Sequence, residues 1–407
     1  MSKNNDNEQL VLVINSGSSS IKYKVFAFPS ERVVLDGEVS GIGTAQSRHS
    51  VSLKALSQQD VIIKDDLCLL QTHVDGFTAI IKTLSRFDDT LPISLIGHRV
   101  VHGGDEFIAP TLIDEAVMAA IERLNPLAPL HNPNNLLGIK ICSNIFSAIP
   151  QVAVFDTAYH QTMAEHVYRY AIPQAWYQQH KIRRYGFHGT SHQYVAQQAA
   201  QLLKRPLKEL NLISLHLGNG ASVCAIEHGK SIDISMGFTP LEGLIMGSRS
   251  GDIDASIALY IQKACGLSSD EVEYALNFES GLKALAGTNE LSRLIELEAS
   301  GDHAAKLALA AYVHRIRKYI GAYLVTLGDV DAIIFTAGVG ENSADIRERC
   351  CKNLAMFGIK LDRKRNNQQI EQSTFIDAES PIRIIVIPTN EELQIAYEAR
   401  NTVLVAE

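Results

Sequence analysis

Leu10-Val11-Leu12-Val13-Ile14 runs directly into Asn15-Ser16-Gly17-Ser18-Ser19-Ser20, and then into Ile21-Lys22. The first five residues form a short apolar run suited to a buried strand. The Gly/Ser stretch reads as a turn, and Lys22 to Phe28 partly alternates, as a second strand would. Pro29-Ser30-Glu31 reads as another turn, with a third strand near Val33 to Val39. The same grammar returns with an apolar Leu212–Leu217, a Gly218-Asn219-Gly220 turn and a strand at Ser222–Ile226. His228-Gly229-Lys230 turns again, and Ser231–Met236 closes the set. Gly17 and Gly220 are 203 positions apart in a chain of 407. This spacing reads as two related halves, each opening on a Gly-turn hairpin. Two unrelated hairpins are the alternative left open by the low identity between them.

Two further strands end in polar residues. Val152–Phe155 runs into Asp156, and Ala332–Phe335 runs into Thr336-Ala337-Gly338-Val339-Gly340-Glu341-Asn342. The latter reads as a third Gly turn, with Asn342 and Asp345 capping the helix that follows. Helical periodicity covers Asp114–Arg123, His192–Leu203, Ser269–Leu276 and Gly301–Leu327. Another helix is predicted after Pro388-Thr389-Asn390-Glu391-Glu392, folding back onto the first domain. Strands alternating with helices predict an α/β architecture. The predicted domain crossing lies at Asp156–Tyr159.

Composition excludes several classes. Lys and Arg number 37 against 45 Asp and Glu, a net charge of −8. Such a chain lacks the basic face that nucleic-acid binding needs. The six cysteines are scattered, with no paired C-x-x-C at zinc spacing, so a reducing cytoplasm is the expected setting. Met1 to Gln9 is polar and lacks the apolar stretch of a signal peptide. The most apolar helical stretch, Leu307–Leu327, is interrupted by His314, Arg315, Arg317 and Lys318, so no membrane span is expected.

The chemistry is carried by Gly-rich turns at strand ends. Such turns expose backbone N–H groups to phosphate oxygens. Neither the G-x-x-x-x-G-K-[ST] nor the G-x-G-x-x-G fingerprint is present. Phosphoryl transfer also needs fixed positive charge. Lys22 follows the first turn, and Arg99 and Arg249 each sit among glycines. Asp156 and Glu391, near strand ends, are candidate magnesium ligands. His188 and His192 have i,i+4 zinc spacing, but no acid completes a set and Gly189 disfavours a helix there. Gly103-Gly104-Asp105-Glu106-Phe107 spells a cyclase signature but lies in a Gly-rich loop, and is read as coincidence.

From Asn15 to about Ala399 the chain resembles the acetate kinase family, carboxylate kinases of the sugar-kinase and actin superfamily. The resemblance rests on Asn15–Lys22, Gly97-His98-Arg99-Val100-Val101-His102-Gly103-Gly104, Pro129-Leu130-His131-Asn132-Pro133, Phe155–Thr162, Arg184–His192, His216–Gly220 and Pro388–Glu392. It implies a two-domain, duplicated α/β fold of the ribonuclease H-like, sugar-kinase/actin-like kind, with the active site in the interdomain cleft. The expected domains are residues 1–157 with 393–407, and residues 158–392.

The implied reaction is reversible transfer of the ATP γ-phosphoryl group to acetate, giving acetyl phosphate and ADP. Propionate, or a different phosphoryl donor, is the alternative. Mg²⁺ or Mn²⁺ would be held by Asn15 and Glu391. Lys22 would meet the nucleotide phosphates, together with His216, Leu217, Gly218, Asn219, Gly220, Arg293, Gly338, Val339, Gly340, Glu341 and Asn342. Arg99 would bind the carboxylate, with Val101, Leu130, His131, Phe187 and Pro240 around the acyl group. Asp156 is the family's acid/base position, and His188 and Arg249 would stabilise the transition state. A carboxylate needs no strong base, so orienting magnesium is the better physical role for Asp156. The resemblance also implies a homodimer, and composition and hydropathy leave no nucleic-acid or membrane partner expected. Departures from the family pattern gather on the nucleotide side. Leu291 stands where an aspartate is usual, Gly281–Gly287 differs from the usual pattern, and Ala337 replaces a usual glycine.

Overall fold

The computed structural model describes residues 8–17, 19–54, 60–87 and 91–406, so Ser18 and the polar tail through Asn7 lie outside it. The chain divides into two compact units, Met1–Ala158 with Asn390–Glu407, and Tyr159–Thr389. The divisions fall at 158/159 and 389/390 rather than 157/158 and 392/393, so Glu391 and Glu392 go with the first unit.

The first unit is built on an eight-stranded sheet. Its strands are β1 (Gln9–Ser16), β2 (Ile21–Phe28), β3 (Arg32–Ser40), β4 (Arg48–Lys54), β5 (Asp60–Leu67), β6 (Ile93–Val100), β7 (Thr111–Leu112) and β8 (Gln151–Phe155). They lie in the order β5-β4-β3-β2-β1-β6-β8-β7. β1 is buried along nearly its whole length, as its unbroken apolar run predicts for a central strand. The helix Glu391–Ala406 packs on β6 at Gly97, where a methyl would come within 2.9 Å of Ile395 Cγ2.

The second unit is built on a six-stranded sheet. Its strands are β9 (Asn211–Leu217), β10 (Ala221–Glu227), β11 (Lys230–Ile234), β12 (Ala332–Thr336), β13 (Thr374–Phe375) and β14 (Arg383–Val386). The order is β11-β10-β9-β12-β14-β13. The 25-residue helix His303–Leu327 buries Leu309, Tyr312, Ile316, Ile320 and Tyr323, and Asp302 caps it by accepting from Ala305 N–H at 2.7 Å. Among the described residues no helix is long and apolar enough to cross a membrane.

The two sheets repeat one design. In β3-β2-β1-β6-β8 and in β11-β10-β9-β12-β14, the first two pairings are antiparallel and the last two parallel. The two halves read from the Gly-turn hairpins are therefore structurally related.

Three expectations need correction. Arg99 is not in a Gly-rich loop but near the end of β6, a strand buried at Leu95, Ile96 and Val100 and paired on both sides. Gly189 opens the helix Gly189–Leu203, where a first-turn glycine costs little because no preceding turn has to be propagated. The stretch after β12 is a short helix, Ala337–Asn342, and Ser343 rather than Asn342 caps the next one by accepting from Ile346 N–H. Asp345 pairs instead with Arg349. All six cysteines are free thiols.

Candidate active site

In the first unit, β1 and β6 run parallel with Ile14 beside His98, so Asn15 and Arg99 emerge next to each other. Asp156 follows β8 directly, its N–H bonded to Val100 O at 3.0 Å. Arg99 Nε donates to both Asp156 oxygens, at 3.2 and 3.0 Å, and Nη2 donates to Oδ2 at 2.5 Å. Nη1 donates to Asn15 Oδ1 at 3.0 Å. A guanidinium has five N–H donors, so one remains on each terminal nitrogen, the fork that takes a carboxylate bidentately. Burial works against the Arg99 charge, but Asp156 and Glu391 outweigh it and leave its pKa above the ordinary value.

The helix Glu391–Ala406 adds two acids to this cluster. Asn15 Nδ2 donates to Glu392 Oε1 at 3.4 Å, and Lys24 Nζ lies 3.8 Å from Glu392 Oε2. Burial pushes the Glu391 carboxyl up to about 7. Arg99 pulls it down, Asp156 and Glu392 push it higher, and Lys22 offsets part of this. Val101 is buried and its N–H is held by Asn135 Oδ1 at 3.0 Å. His131 stands at the N-cap position of the helix Asn132–Ile145, and Leu130 is exposed.

In the second unit, the turn joining β9 to β10 is closed by Gly218 N–H to Gly220 O at 3.1 Å. Two histidines flank it. His188 takes a left-handed conformation, φ +59°, between the buried Phe187 and the helix Gly189–Leu203. His216 ends β9 one residue before Leu217. Their rings stack with centroids 4.1 Å apart and planes 22° apart. Each turns Nδ1 to a serine, His188 to Ser222 Oγ at 2.9 Å and His216 to Ser191 Oγ at 2.8 Å. Each turns Nε2 to the glycine turn. A methyl on Gly220 would lie 3.5 Å from His188 Nε2, and one on Gly218 would lie 3.8 Å from His216 Nε2.

Arg249 completes this cluster. Its Nη1 would lie 3.4 Å from the same Gly220 methyl. The guanidinium is half-buried and has no hydrogen bond or ion pair with any described residue. Burial lowers its pKa, and no carboxylate offsets the effect. The loop that presents it is tightly held. Met246 N–H bonds Arg249 O at 3.1 Å, Gly247 N–H bonds Asn219 O at 3.1 Å, and Gly281 passes so close that a methyl would lie 2.7 Å from Arg249 O.

Other predicted residues stand apart from these clusters. Glu341 accepts from Thr389 N–H at 3.0 Å, and Asn342 donates to Gly338 O at 2.9 Å. Gly338 faces open space, while a methyl on Gly340 would meet the β12 backbone at 3.3 Å. Arg293 is on the helix Leu291–Ala299, exposed and paired with Glu296 at 3.1 Å. Pro240 and Val339 are half-buried. His188 and His192 share Ser222 Oγ rather than forming a ligand pair. Among the described residues no group of three His, Cys, Asp or Glu is arranged to hold a metal ion. Sequence reasoning missed Ser191, Ser222 and Glu392. Glu392 and Ser191 stood inside quoted motifs, while Ser222 carried no signal before the histidines were placed.

One sheet order used twice, with glycine turns at the strand ends in place of a P-loop, is the architecture of a duplicated α/β kinase. Residues 10–397 match the acetokinase family, and the chain belongs to it. An acetate kinase of Bacillus cytotoxicus is 49% identical over 392 residues, covering 95% of this chain and 97% of that one. The crystal structure of Porphyromonas gingivalis acetate kinase superposes with a TM-score of 0.88 at 38% identity, covering 97% of this chain and 100% of that one. A propionate kinase from Francisella tularensis superposes with a TM-score of 0.89 at 41% identity, covering 97% and 99%. The chain is therefore a kinase, a transferase of phosphoryl groups.

Proposed function

We propose that this kinase transfers the γ-phosphoryl group of ATP to acetate, forming acetyl phosphate and ADP, and catalyses the reverse reaction. The observation that carries the reading is the unpaired, half-buried Arg249 guanidinium beside the stacked His188 and His216 at the Gly218–Gly220 turn. A cation desolvated without a carboxylate is costly unless an anion arrives. A transferring phosphoryl group is such an anion.

In this reading Arg99 uses its two remaining N–H groups to hold the acetate carboxylate. An acetate oxygen attacks the γ-phosphorus, a new P–O bond forms, and the bond to the β,γ-bridging oxygen breaks to release ADP. Arg249 and His188 donate to the equatorial oxygens as negative charge spreads over them. Asp156 spends both oxygens on Arg99, so it aligns that residue rather than taking a proton. Lys22 and the Gly218–Gly220 backbone serve the nucleotide phosphates.

The first-unit cluster suits Mg²⁺. Burial first, and then Asp156 and Glu392 against Arg99 and Lys22, push Glu391 toward protonation, and a bound cation would favour its charged form. Asn15, Glu391 and, through water, Asp156 would hold the ion, which would neutralise β- and γ-phosphate charge when bound. Val101 in the first unit and Phe187 in the second are both buried, and the family resemblance assigns each to the acyl group. Likeness to a propionate kinase supports a second reading with the longer acid, since one methylene changes discrimination by only about 1–3 kcal/mol.

We further propose a cytoplasmic homodimer. The helices Ser256–Cys265 and Ser269–Phe278 expose Ile257, Leu259, Tyr260 and Tyr274, an apolar surface that a second copy would cover. Sedimentation velocity with and without Tyr260→Lys tests it. The activity is tested by hydroxamate capture of the acyl phosphate with Mg-ATP and acetate, beside propionate and pyrophosphate arms. Product with ATP and acetate is expected. No product with either acid would sink the reading.

A further inference from the structure

Ser222 lies on β10, two residues beyond Gly220, opposite His216 on β9, and is fully buried. Its Oγ is 2.9 Å from His188 Nδ1 and 2.8 Å from His192 Nε2. His192 Nδ1 is in turn 2.9 Å from Ser214 Oγ, also fully buried. The four groups form one chain: Ser214, His192, Ser222, His188. A serine hydroxyl carries one proton, so Ser222 can donate to only one imidazole and accepts from the other.

The chain has two polarities. In one, Ser214 donates to His192 Nδ1, His192 Nε2–H donates to Ser222, and Ser222 donates to His188 Nδ1. The proton of a neutral His188 then sits on Nε2, facing the Gly218–Gly220 turn. In the other, every bond reverses, and the proton of a neutral His188 sits on Nδ1. Nε2 would then offer a lone pair to an incoming phosphoryl oxygen.

The surroundings disfavour a second proton on His188, and the proposed reaction chooses between the two polarities. Burial, then His160 and His216, hold the His192 pKa well below its ordinary value, so His192 has a single N–H to place. His188 is faced by the stacked His216 ring, by His192 through Ser222, and by Arg249 Nη1, which shares Gly220 with its Nε2. A second proton on His188 would put like charges together. Either neutral tautomer avoids that, and only the one with Nε2–H presents a donor to an incoming phosphoryl oxygen.

We infer that Ser222 is a positioning residue whose hydroxyl fixes His188 as an Nε2–H donor toward the Gly218–Gly220 turn. The choice of tautomer rests on the proposed phosphoryl transfer, whereas the chain from Ser214 to His188 does not. At metal sites, an imidazole without its orienting partner loses about 10- to 100-fold in function.

The test has two arms. Histidine-selective ¹⁵N labelling of the ligand-free wild type, with His188→Gln to assign the signal, reads the tautomer by long-range ¹H–¹⁵N correlation. The expected result is a protonated Nε2 and a bare Nδ1. A bare Nε2 overturns the inference, whatever the enzyme does in an assay. In the second arm, Ser222→Ala is expected to lower kcat about 10- to 100-fold with both KM values little changed. Ser222→Thr, which keeps the hydroxyl, is expected to recover most of it. An unchanged kcat in a folded Ser222→Ala overturns the inference. Wild type inactive on acetate and propionate would defeat the proposed function alone, and the tautomer measurement would still decide the role of Ser222. Should Ser222→Ala fail to fold, the same measurement on wild type decides it.

Discussion

Arg249 Nη1 and His188 Nε2 converge on Gly220, close enough that a single methyl there would touch both, at 3.4 and 3.5 Å. Gly220 does not have a positive φ, so alanine is sterically allowed in the backbone. Gly220→Ala is expected to fold normally and to lose activity, because the methyl occupies the space where the two donors meet. Thermal melting and hydroxamate formation measured together check this. Loss of both would show that the glycine serves the fold instead.

Arg249→Ala should cost about 10³–10⁵ in kcat, the usual worth of an arginine acting on a transferring phosphoryl group. The guanidinium has no partner among the described residues, so the variant should melt no lower than the wild type. A stability loss matching the activity loss would contradict this.

Arg99 is the opposite case. Asp156 is 1% exposed and takes both its oxygens to Arg99. Arg99→Met strands a buried acid and should cost about 3–5 kcal/mol. The penalty is expected to shrink toward low pH, where protonation relieves Glu391. Urea titrations at two pH values measure this.

His98 predicts the shape of acid unfolding. Burial holds its pKa down at about 4, partly offset by the bond to Gln151 Oε1 at 2.7 Å. The unfolded chain takes up this proton near 6.5, so it binds more protons than the fold between about 6.5 and 4. Stability is therefore lost as pH falls through that window, by up to roughly 3 kcal/mol from this residue. His98→Gln should flatten the stability curve there. An acid limb identical to wild type would falsify the assignment.

Ala337 sits at φ +63° where the family resemblance places a glycine. A left-handed alanine costs roughly 1–2 kcal/mol, while glycine costs about 0.4–1 kcal/mol through the unfolded chain. Ala337→Gly should thus stabilise the second unit by about 0.5–1 kcal/mol, seen as a small rise in Tm.

The parts of the fold legible in the sequence are those with local signals. Apolar runs ending in Gly/Ser marked β1, β9 and the hairpins after them, and Asp302 and Gly328 bracket the long helix. β4 and the edge strand β5 were not legible, because half-polar strands at the end of a sheet lack the apolar run of a central one. β6 was hidden by Gly97, Gly103 and Gly104, which read as loop. Gly97 in fact makes room for Ile395, a partner almost three hundred positions away. The site divides in the same way. Asn15, Arg99, Asp156 and His188 stood out by residue type and motif. Ser222 did not, and Ser191 stood in a motif without a role, since a serine gains one only from the imidazole folded against it.

The helix Glu391–Ala406 belongs to the first unit although more than two hundred residues of the second come before it. During synthesis the second unit is thus a continuous stretch that can fold before translation ends. The first must wait, with β6 uncovered at Gly97 and Arg99 lacking Glu391 and Glu392. Arrival of the last helix seals the sheet and brings in both acids at once. A message cut short before that codon range yields a polypeptide with an exposed apolar surface, marked for the cell's quality control, rather than a half-competent catalyst.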